Sequence, residues 1–402
     1  MRSVEEHRRV VAGLITARPP VSVSLDETLG LVLAENVVAP LSLPGFDNSA
    51  MDGYAVVAED ISGATAERPV LLPVAEDIPA GRTDLLTLKP GTAHRIMTGA
   101  PLPSGATAVI PVESTNAATD TVEIRASAKP GQHIRRAGED VTSGTTVLRA
   151  GQVVTPAALG LAAALGLGEL TVVPRQRVLV MSTGSELVAP GTPLQPGQIY
   201  ESNAVMLAAA LRDAGAEVVA APTTGDDVAV FRDVLARYSS DADLIITTGG
   251  VSAGAYEVVK DALGAGQVEF VKVAMQPGMP QGSGVVDGTP IITLPGNPVS
   301  ALVSFEVFLR SPLRAAMGLP NPDRPRRTAV LTEDLTSPRG KRQFRRGVFD
   351  TDPQTGQGTV TSYGPPASHH LRWLASANCL LEIDEDVVEL PGGSHVHIWD
   401  LA

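Results

Sequence analysis

The 402-residue chain contains a single cysteine, Cys379. An intrachain disulfide and a cage of thiolate metal ligands are therefore excluded. Aromatic residues are nearly as scarce, with seven Phe, five Tyr and two Trp, which leaves little material for stacking nucleic-acid bases. Lysine occurs only five times, and 31 Lys+Arg stand against 44 Asp+Glu, for a net charge of -13. A protein that grips nucleic acid needs a basic face to neutralise phosphates, so that partner class is ruled out as the main business. Long hydrophobic runs are missing too. Met1–Arg9 is charged and has no apolar signal block, and the uncharged stretch Ala150–Gly168 carries Gln152 and a Thr155-Pro156 helix start. That stretch reads as a buried helix of about three turns, short of a membrane span. The expectation is a cytoplasmic protein with no membrane partner.

Apolar residues make up 44% of the chain, enough to bury cores, and Gly (39) and Pro (32) supply turns. The length suggests two to four domains. Ser3-x-x-Glu6 reads as a capping box opening a helix to about Thr16, and Ser24-x-x-Glu27 repeats the pattern. Short apolar pieces at Tyr54–Ala58, Val70–Val74, Thr107–Val112 and Thr121–Ile124 alternate with Gly/Pro turns and predict a β-rich module inserted into a helical domain. From Arg177 the pattern becomes β-α-β, with strands at Val178–Met181, Glu217–Ala221 and Asp243–Thr247. Helices are expected after Ser202 and over Asp226–Tyr238, and Asn297-Pro298 opens another. Strands and helices alternating in this way predict an open, mostly parallel α/β sheet. Prolines 320, 322 and 325 mark a linker, and the last 80 or so residues read as a small all-β domain.

In open parallel sheets, ligands bind beyond the carboxyl ends of the strands. Two of those ends carry Gly-rich, hydroxyl-bearing turns, Ser182-Thr-Gly-Ser-Glu186 and Thr247-Thr-Gly-Gly-Val-Ser-Ala-Gly254. Such turns let backbone N–H groups approach an anion closely without a lysine. Either turn alone is equally well read as a tight strand-to-helix connection, whereas the pair favours a site. The run Leu43-Pro-Gly-Phe-Asp-Asn-Ser-Ala-Met-Asp-Gly-Tyr-Ala55 is dense in oxygen ligands, and spacing does not separate a ligand set from a loop of Asx-turns.

Six ordered motifs carry a resemblance across nearly the whole chain: Leu43–Ala55, Arg95–Pro103, Arg136–Asp140, Ser182–Glu186, Gly249–Gly254 and Leu294–Ser300. Together they resemble the molybdopterin molybdenumtransferase family, the MoeA type that includes the gephyrin E domain. The resemblance implies a discontinuous helical linker domain (1–44 and 141–173) and a β-rich lid (45–140). It further implies an α/β molybdopterin-binding domain (174–320) and a C-terminal, barrel-like β domain (321–402). It implies a homodimer whose site combines one subunit's α/β domain with the other's lid, supplied by a molybdopterin-adenylylating protein. The implied reaction joins molybdate and adenylylated molybdopterin to give molybdenum cofactor and AMP, with Mg²⁺ or another divalent cation. Carried over by motif, the catalytic acids fall on Asp52, Asp140, Asp226 and Glu257, and the metal acids on Glu186, Asp226 and Glu257. Substrate contacts fall on Asn48, Ser49, Thr98, Thr183, Gly184, Ser185, Gly249, Gly250, Ser252, Gly254, Pro295, Pro298, Ser300, Arg346 and Ser368.

Two departures stand out. Glu257 is commonly Asp in the family, and the run Met275-Gln-Pro-Gly-Met-Pro-Gln281 places Gln276 and Met279 where many relatives have lysines. Oxyanion binding is then expected to lean on Arg346, Ser368 and Ser300. The 321–349 segment, with eight basic residues against three acids, is expected to present a basic patch to the anions. The alternative is a pterin-binding scaffold with weakened molybdate insertion. His395 and His397, two apart on a strand, read as ordinary strand residues.

Overall fold

In this computed structural model the described residues are 1–250, 258–263, 266–353 and 356–401. The chain separates into two compact units, a larger one (Met1–Ser22, Gly30–Val32, Thr171–Ala402) and a smaller one (Val23–Leu29, Leu33–Leu170).

The smaller unit is built on a five-stranded sheet. Its strand order is Ala108–Pro111, Gly53–Val56, Ala93–Ile96, Val70–Ile78 and Thr121–Ile124. All neighbours are antiparallel except Ala93–Ile96 against Val70–Ile78. Tyr54, Ile61, Ile110, Val122 and Ile124 are buried in its core, and the Tyr54 hydroxyl donates to the Ala118 carbonyl at 2.9 Å. Glycine is obligatory at position 53, where a Cβ would stand 1.8 Å from the Ile110 carbonyl oxygen. The Thr155-Pro156 start opens a helix at Pro156–Ala164, with Thr155 Oγ1 accepting from the Ala158 N–H at 3.2 Å. Among the described residues no helix is long and apolar enough to cross a membrane. The second capping box does not open an α-helix. Ser24 and Glu27 bond to each other at 3.0 Å across the single 3₁₀ turn Leu25–Glu27, so the hydroxyl is spent before it can cap.

In the larger unit, helix Val4–Leu14 is capped by Ser3, whose Oγ accepts from the Glu6 N–H at 3.1 Å. Its buried residues Val4 and Val11 join the core that holds Val178, Leu207 and Phe308, so this helix packs with the α/β sheet. That sheet has a parallel part, Glu217–Ala220, Arg177–Thr183, Leu244–Thr248 and Thr289–Leu294, with Thr223–Thr224 also beside Arg177–Thr183. Two antiparallel strands, Pro280–Val286 and Val268–Lys272, complete it. Pro280–Val286 was not foreseen, because Gly282 and Gly284 dilute its β pattern. Both glycines are required by close approach, since a Cβ would meet Thr293 Oγ1 at 2.2 Å and the Gln267 carbonyl at 2.0 Å.

Three helix starts differ from expectation. The helix expected from Asp226 begins at Val228, because Asp227 accepts the Ala229 and Val230 N–H groups. Ser202 and Asn297 occupy N-cap positions without a side-chain cap bond. The helix from Pro298 runs through a π turn at Phe305–Leu309 to Ala316. The last five main strands close a barrel, each pairing with the next: Arg342–Thr351, Gly358–Ser362, Arg326–Leu331, His395–Asp400, Cys379–Ile383 and back to Arg342–Thr351. Met275–Gln276 adds to Arg342–Gln343 in parallel.

Candidate active site

The carboxyl ends of three parallel strands open into a cavity of about 1170 Å³, lined by residues of the larger unit alone. The strand ends are tied together by side chains. Asn203 Nδ2 donates to Thr248 Oγ1 (3.0 Å) and to the Gly296 carbonyl (2.7 Å), and Thr248 Oγ1 donates to the Pro295 carbonyl (3.0 Å). Glu201, only 4% exposed, accepts from Ser182 Oγ at 2.8 Å and from the Ala204 N–H at 2.6 Å. It thereby supplies the helix cap that Ser202 does not. Gly249, at φ 96°, brings backbone against Thr183, where a Cβ would sit 2.6 Å from the carbonyl oxygen. The expected residues Thr183, Gly184, Glu186, Asp226, Gly249, Gly250, Pro295, Pro298, Ser300 and Ser368 all line this cavity.

Ser185 and Asp226 lock the rim, the Ser185 N–H donating to Asp226 Oδ2 and Ser185 Oγ accepting from the Asp226 N–H, each at 3.1 Å. Glu186 and Asp226 are both exposed carboxylates on the wall, and a Cβ at Gly184 would stand 2.7 Å from Glu186 Oε2. Two exposed carboxylates on the wall of this cavity fit Mg²⁺, which takes one or two carboxylates and completes its shell with substrate phosphate and water. Among the described residues there is no cluster of three or more His, Cys, Asp or Glu suited to a metal. Ser252, Gly254 and Glu257 lie outside the described residues.

Arg346 does not line the cavity. It is 4% exposed and donates to the carbonyls of Ala367, at 3.0 Å, and Pro365. Burial pushes its guanidinium below the ordinary value. Its effect reaches the cavity through the loop it braces, since Ser368 Oγ accepts from Asn297 Nδ2 (2.9 Å) and the Ser368 carbonyl accepts from the Val299 N–H (3.0 Å).

The expected basic patch is also corrected. Arg324 pairs with Glu306, Arg326 with Glu382, Arg327 with Asp400, and Arg342 with Glu5, Glu382 and Glu385. Arg345 donates to the Thr336 carbonyl. Of that segment only Lys341 reaches the cavity, and it is the sole Lys or Arg among the described lining residues. Gln276 and Met279, which stand where the resemblance leads one to expect lysines, line the wall, and Gln343 Nε2 donates to Gln276 Oε1 at 2.8 Å, leaving the Gln276 amide N–H groups as donors. Lys341, Glu201 and Asn203 were missed in the sequence. The signal for Lys341 lies in a pairing, Met275–Gln276 with Arg342–Gln343, that no local pattern records.

The remaining expected residues belong to the smaller unit. Asp52 Oδ1 accepts from the Thr98 N–H (2.6 Å) and Thr98 Oγ1 (2.7 Å), and the backbone bond above all holds this exposed carboxyl below its usual range. Asn48 and Ser49 are buried and spend their side chains on the Phe46 and Met51 carbonyls. Asp47 is held by Arg136 and the Ala137 N–H. The oxygen-rich run is therefore largely a braced loop, with Asp52 and, further on, Asp140 exposed.

Comparison with known proteins gives three family matches. Residues 2–166 match the MoeA N-terminal region (domain I and II), residues 179–315 a probable molybdopterin binding domain, and residues 328–401 the MoeA C-terminal region (domain IV). The chain is 71% identical to molybdopterin molybdenumtransferase 2 of Mycobacterium tuberculosis, over 100% of both chains. It is 38% identical to molybdopterin molybdenumtransferase 1 of the same organism, over 100% of this chain and 99% of that one. Two crystal structures of molybdopterin biosynthesis MoeA proteins from Pyrococcus horikoshii superpose with TM-scores of 0.79 and 0.70, at 29% and 28% identity. They cover 100% of this chain and 99% and 100% of theirs.

Proposed function

This chain belongs to the molybdopterin molybdenumtransferase family, and from that membership we propose that it inserts molybdenum from molybdate into adenylylated molybdopterin, releasing AMP. It is an enzyme of that kind; the substrate form, the product and the metal are the proposal. The observation that carries it is Lys341, the one Lys or Arg among the described lining residues, set in a cavity walled by two glycine turns and by hydroxyls that include Ser300, Ser368 and Thr183. Lys341, the Gln276 amide and the hydroxyls at the start of the Pro298 helix would hold molybdate, and the Thr248–Gly250 turn the pterin phosphate. Glu186 and Asp226 would hold Mg²⁺, which when bound offsets the charge that develops on a phosphate leaving group. Glu257 joins this assignment on motif alone.

The proposal extends to assembly. Two copies form a homodimer in which Asp52, Thr98 and Asp140 of one face the cavity of the other, fed by a molybdopterin-adenylylating protein in the cytoplasm. The finer four-domain division belongs to the same reading. Complementation of a strain lacking molybdenum insertion tests the function. Rescue at ordinary molybdate is expected. Rescue only at high molybdate would mark the cost of Gln276 and Met279, and failure at every concentration would favour the scaffold.

A further inference from the structure

Glu186 and Asp226 stand exposed on the cavity wall, and a third acid among the described lining residues, Glu201, is different in kind. It is buried, and both bonds that hold it, from Ser182 Oγ and the Ala204 N–H, fall on the same oxygen, Oε1. The other oxygen, Oε2, accepts from no described residue, and no Lys, Arg or His of those residues lies within ion-pair distance of it. Nor is Oε2 sealed into protein, so it opens on the cavity that the residue lines. A carboxylate oxygen held largely out of water without a donor is costly, and a ligand that brings a donor removes the cost.

The orientation of this side chain is fixed. The Glu201 N–H donates to the Val188 carbonyl at 2.8 Å, and Oε1 is pinned between the end of strand Arg177–Thr183 and the start of helix Asn203–Asp213. The two oxygens cannot exchange places without abandoning both donors. Two residues on, Asn203 spends its amide N–H groups on Thr248 Oγ1 and the Gly296 carbonyl, and its Oδ1 has no donor among the described residues. This stretch of wall is short of donors, so a group that suits it is itself a donor. Phosphate and molybdate bring none and carry the same sign of charge as the carboxylate. Mg²⁺, which keeps several waters, is better served by the exposed Glu186 and Asp226.

We propose that Glu201 Oε2 accepts from the amino-bearing edge of the pterin ring, and so selects a 2-amino pterin over its 2-oxo counterpart. This rests on the reading that molybdopterin occupies the cavity with its phosphate at the Thr248–Gly250 turn. The Asn203–Thr248 bond ties the helix that follows Glu201 to that turn, which puts the acceptor and the phosphate turn on one wall. A site built to take a hydrogen bond from a substrate N–H rejects the analogue that lacks it, because its own buried acceptor is then left bare.

Glu201→Gln tests the sign of the contact. The Ser182 hydroxyl and the Ala204 N–H still need an acceptor, so the Gln oxygen stays on them and its NH₂ takes the place of Oε2, turning an acceptor into a donor. The full chain is titrated with 6-hydroxymethylpterin and with 6-hydroxymethyllumazine, which carries oxygen in place of the 2-amino group, and the fluorescence of the pteridine is followed. The parent should bind the pterin about tenfold or more tightly than the lumazine, the worth of one hydrogen bond to a charged acceptor. Glu201→Gln should abolish or reverse that preference, which the loss of a helix cap alone does not do, and should bind AMP with Mg²⁺ within about twofold of the parent. A parent with no preference for the pterin overturns the proposal, whether or not the variant folds. A Glu201→Gln protein that keeps the preference overturns it too, and loss of AMP affinity instead would give the carboxylate to the nucleotide and overturn it. The reaction is judged separately, since molybdate-dependent AMP release by the parent upholds it even where the pterin preference fails.

Discussion

Replacing Lys341 by Met removes a charge and keeps the length of the stem. Its amine is the one Lys or Arg nitrogen available to the main cavity among the described residues, and no carboxylate of those residues pairs with it. A hydrogen bond from a cation to an anion contributes about 1.5–3 kcal/mol, because the donor is already charged and the acceptor is partly out of water. At about 1.4 kcal/mol per factor of ten, the loss in molybdate affinity should be about 10- to 150-fold. Screening would blur the result, so the calorimetric titration belongs at fixed ionic strength, where charges are felt over about 10 Å. Arg345→Ala is the control, since Arg345 donates to the Thr336 carbonyl and lies outside the cavity. It should bind molybdate within about twofold of the parent. Lys341→Met binding molybdate as tightly as the parent would refute the assignment of this lysine and the charge argument behind it.

Three other perturbations are sharp. Glu201→Ala leaves the Ser182 hydroxyl and the Ala204 N–H without their acceptor in a buried place, and should cost about 2–3 kcal/mol in thermal unfolding. Glu201→Gln keeps an acceptor oxygen and should cost less than half as much; equal losses would show that the two bonds do not matter. Gly53→Ala forces a Cβ onto the Ile110 carbonyl backbone and should destabilise the smaller unit by about 3 kcal/mol or more, read as protease sensitivity confined to residues 33–170. A protease-resistant Gly53→Ala would contradict the register of that sheet. His7 is fully buried, with neither ring nitrogen hydrogen-bonded among the described residues, and burial, aided by the Arg2 charge, pushes it down to about 4. The unfolded chain takes up that proton near 6.5 while the folded chain does not, so stability is lost as pH falls from 6.5 towards 4, by about 2 kcal/mol at pH 5. His7→Phe, which keeps a ring against Phe308, should flatten that slope in denaturant titrations at pH 7 and 5; an unchanged slope would place its origin elsewhere.

The elements legible in the sequence are those whose cause is local. Ser3 and Thr155 cap helices with bonds three residues long, and apolar runs such as Leu244–Thr248 announce buried strands. Both glycine turns of the site were visible for the same reason. What was hidden depends on partners far along the chain. Eight basic residues in 29 read as a patch, but Glu5, Glu306, Glu382 and Asp400 pair with four of them after folding. Arg346 looked like an anion ligand by type, and two loop carbonyls consume its donors. Lys341 was one of eight basic residues expected to face the anions, with nothing local to single it out, and is carried to the cavity by a strand pairing across 67 residues. Glu201 is not a residue type expected at a helix start, and the Ser182 hydroxyl that fixes it lies in another element.

The central claim is that the cavity converts adenylylated molybdopterin with molybdate, and AMP release tests it most directly. Purified protein given adenylylated molybdopterin and a divalent cation should release AMP in a molybdate-dependent way, stoichiometric with the pterin consumed. Asp226→Ala should slow that release by about 100-fold or more, since it removes one of the two exposed carboxylates among the described residues of the cavity wall. Pterin that binds while no AMP forms, or AMP that forms equally well without molybdate, would contradict the account.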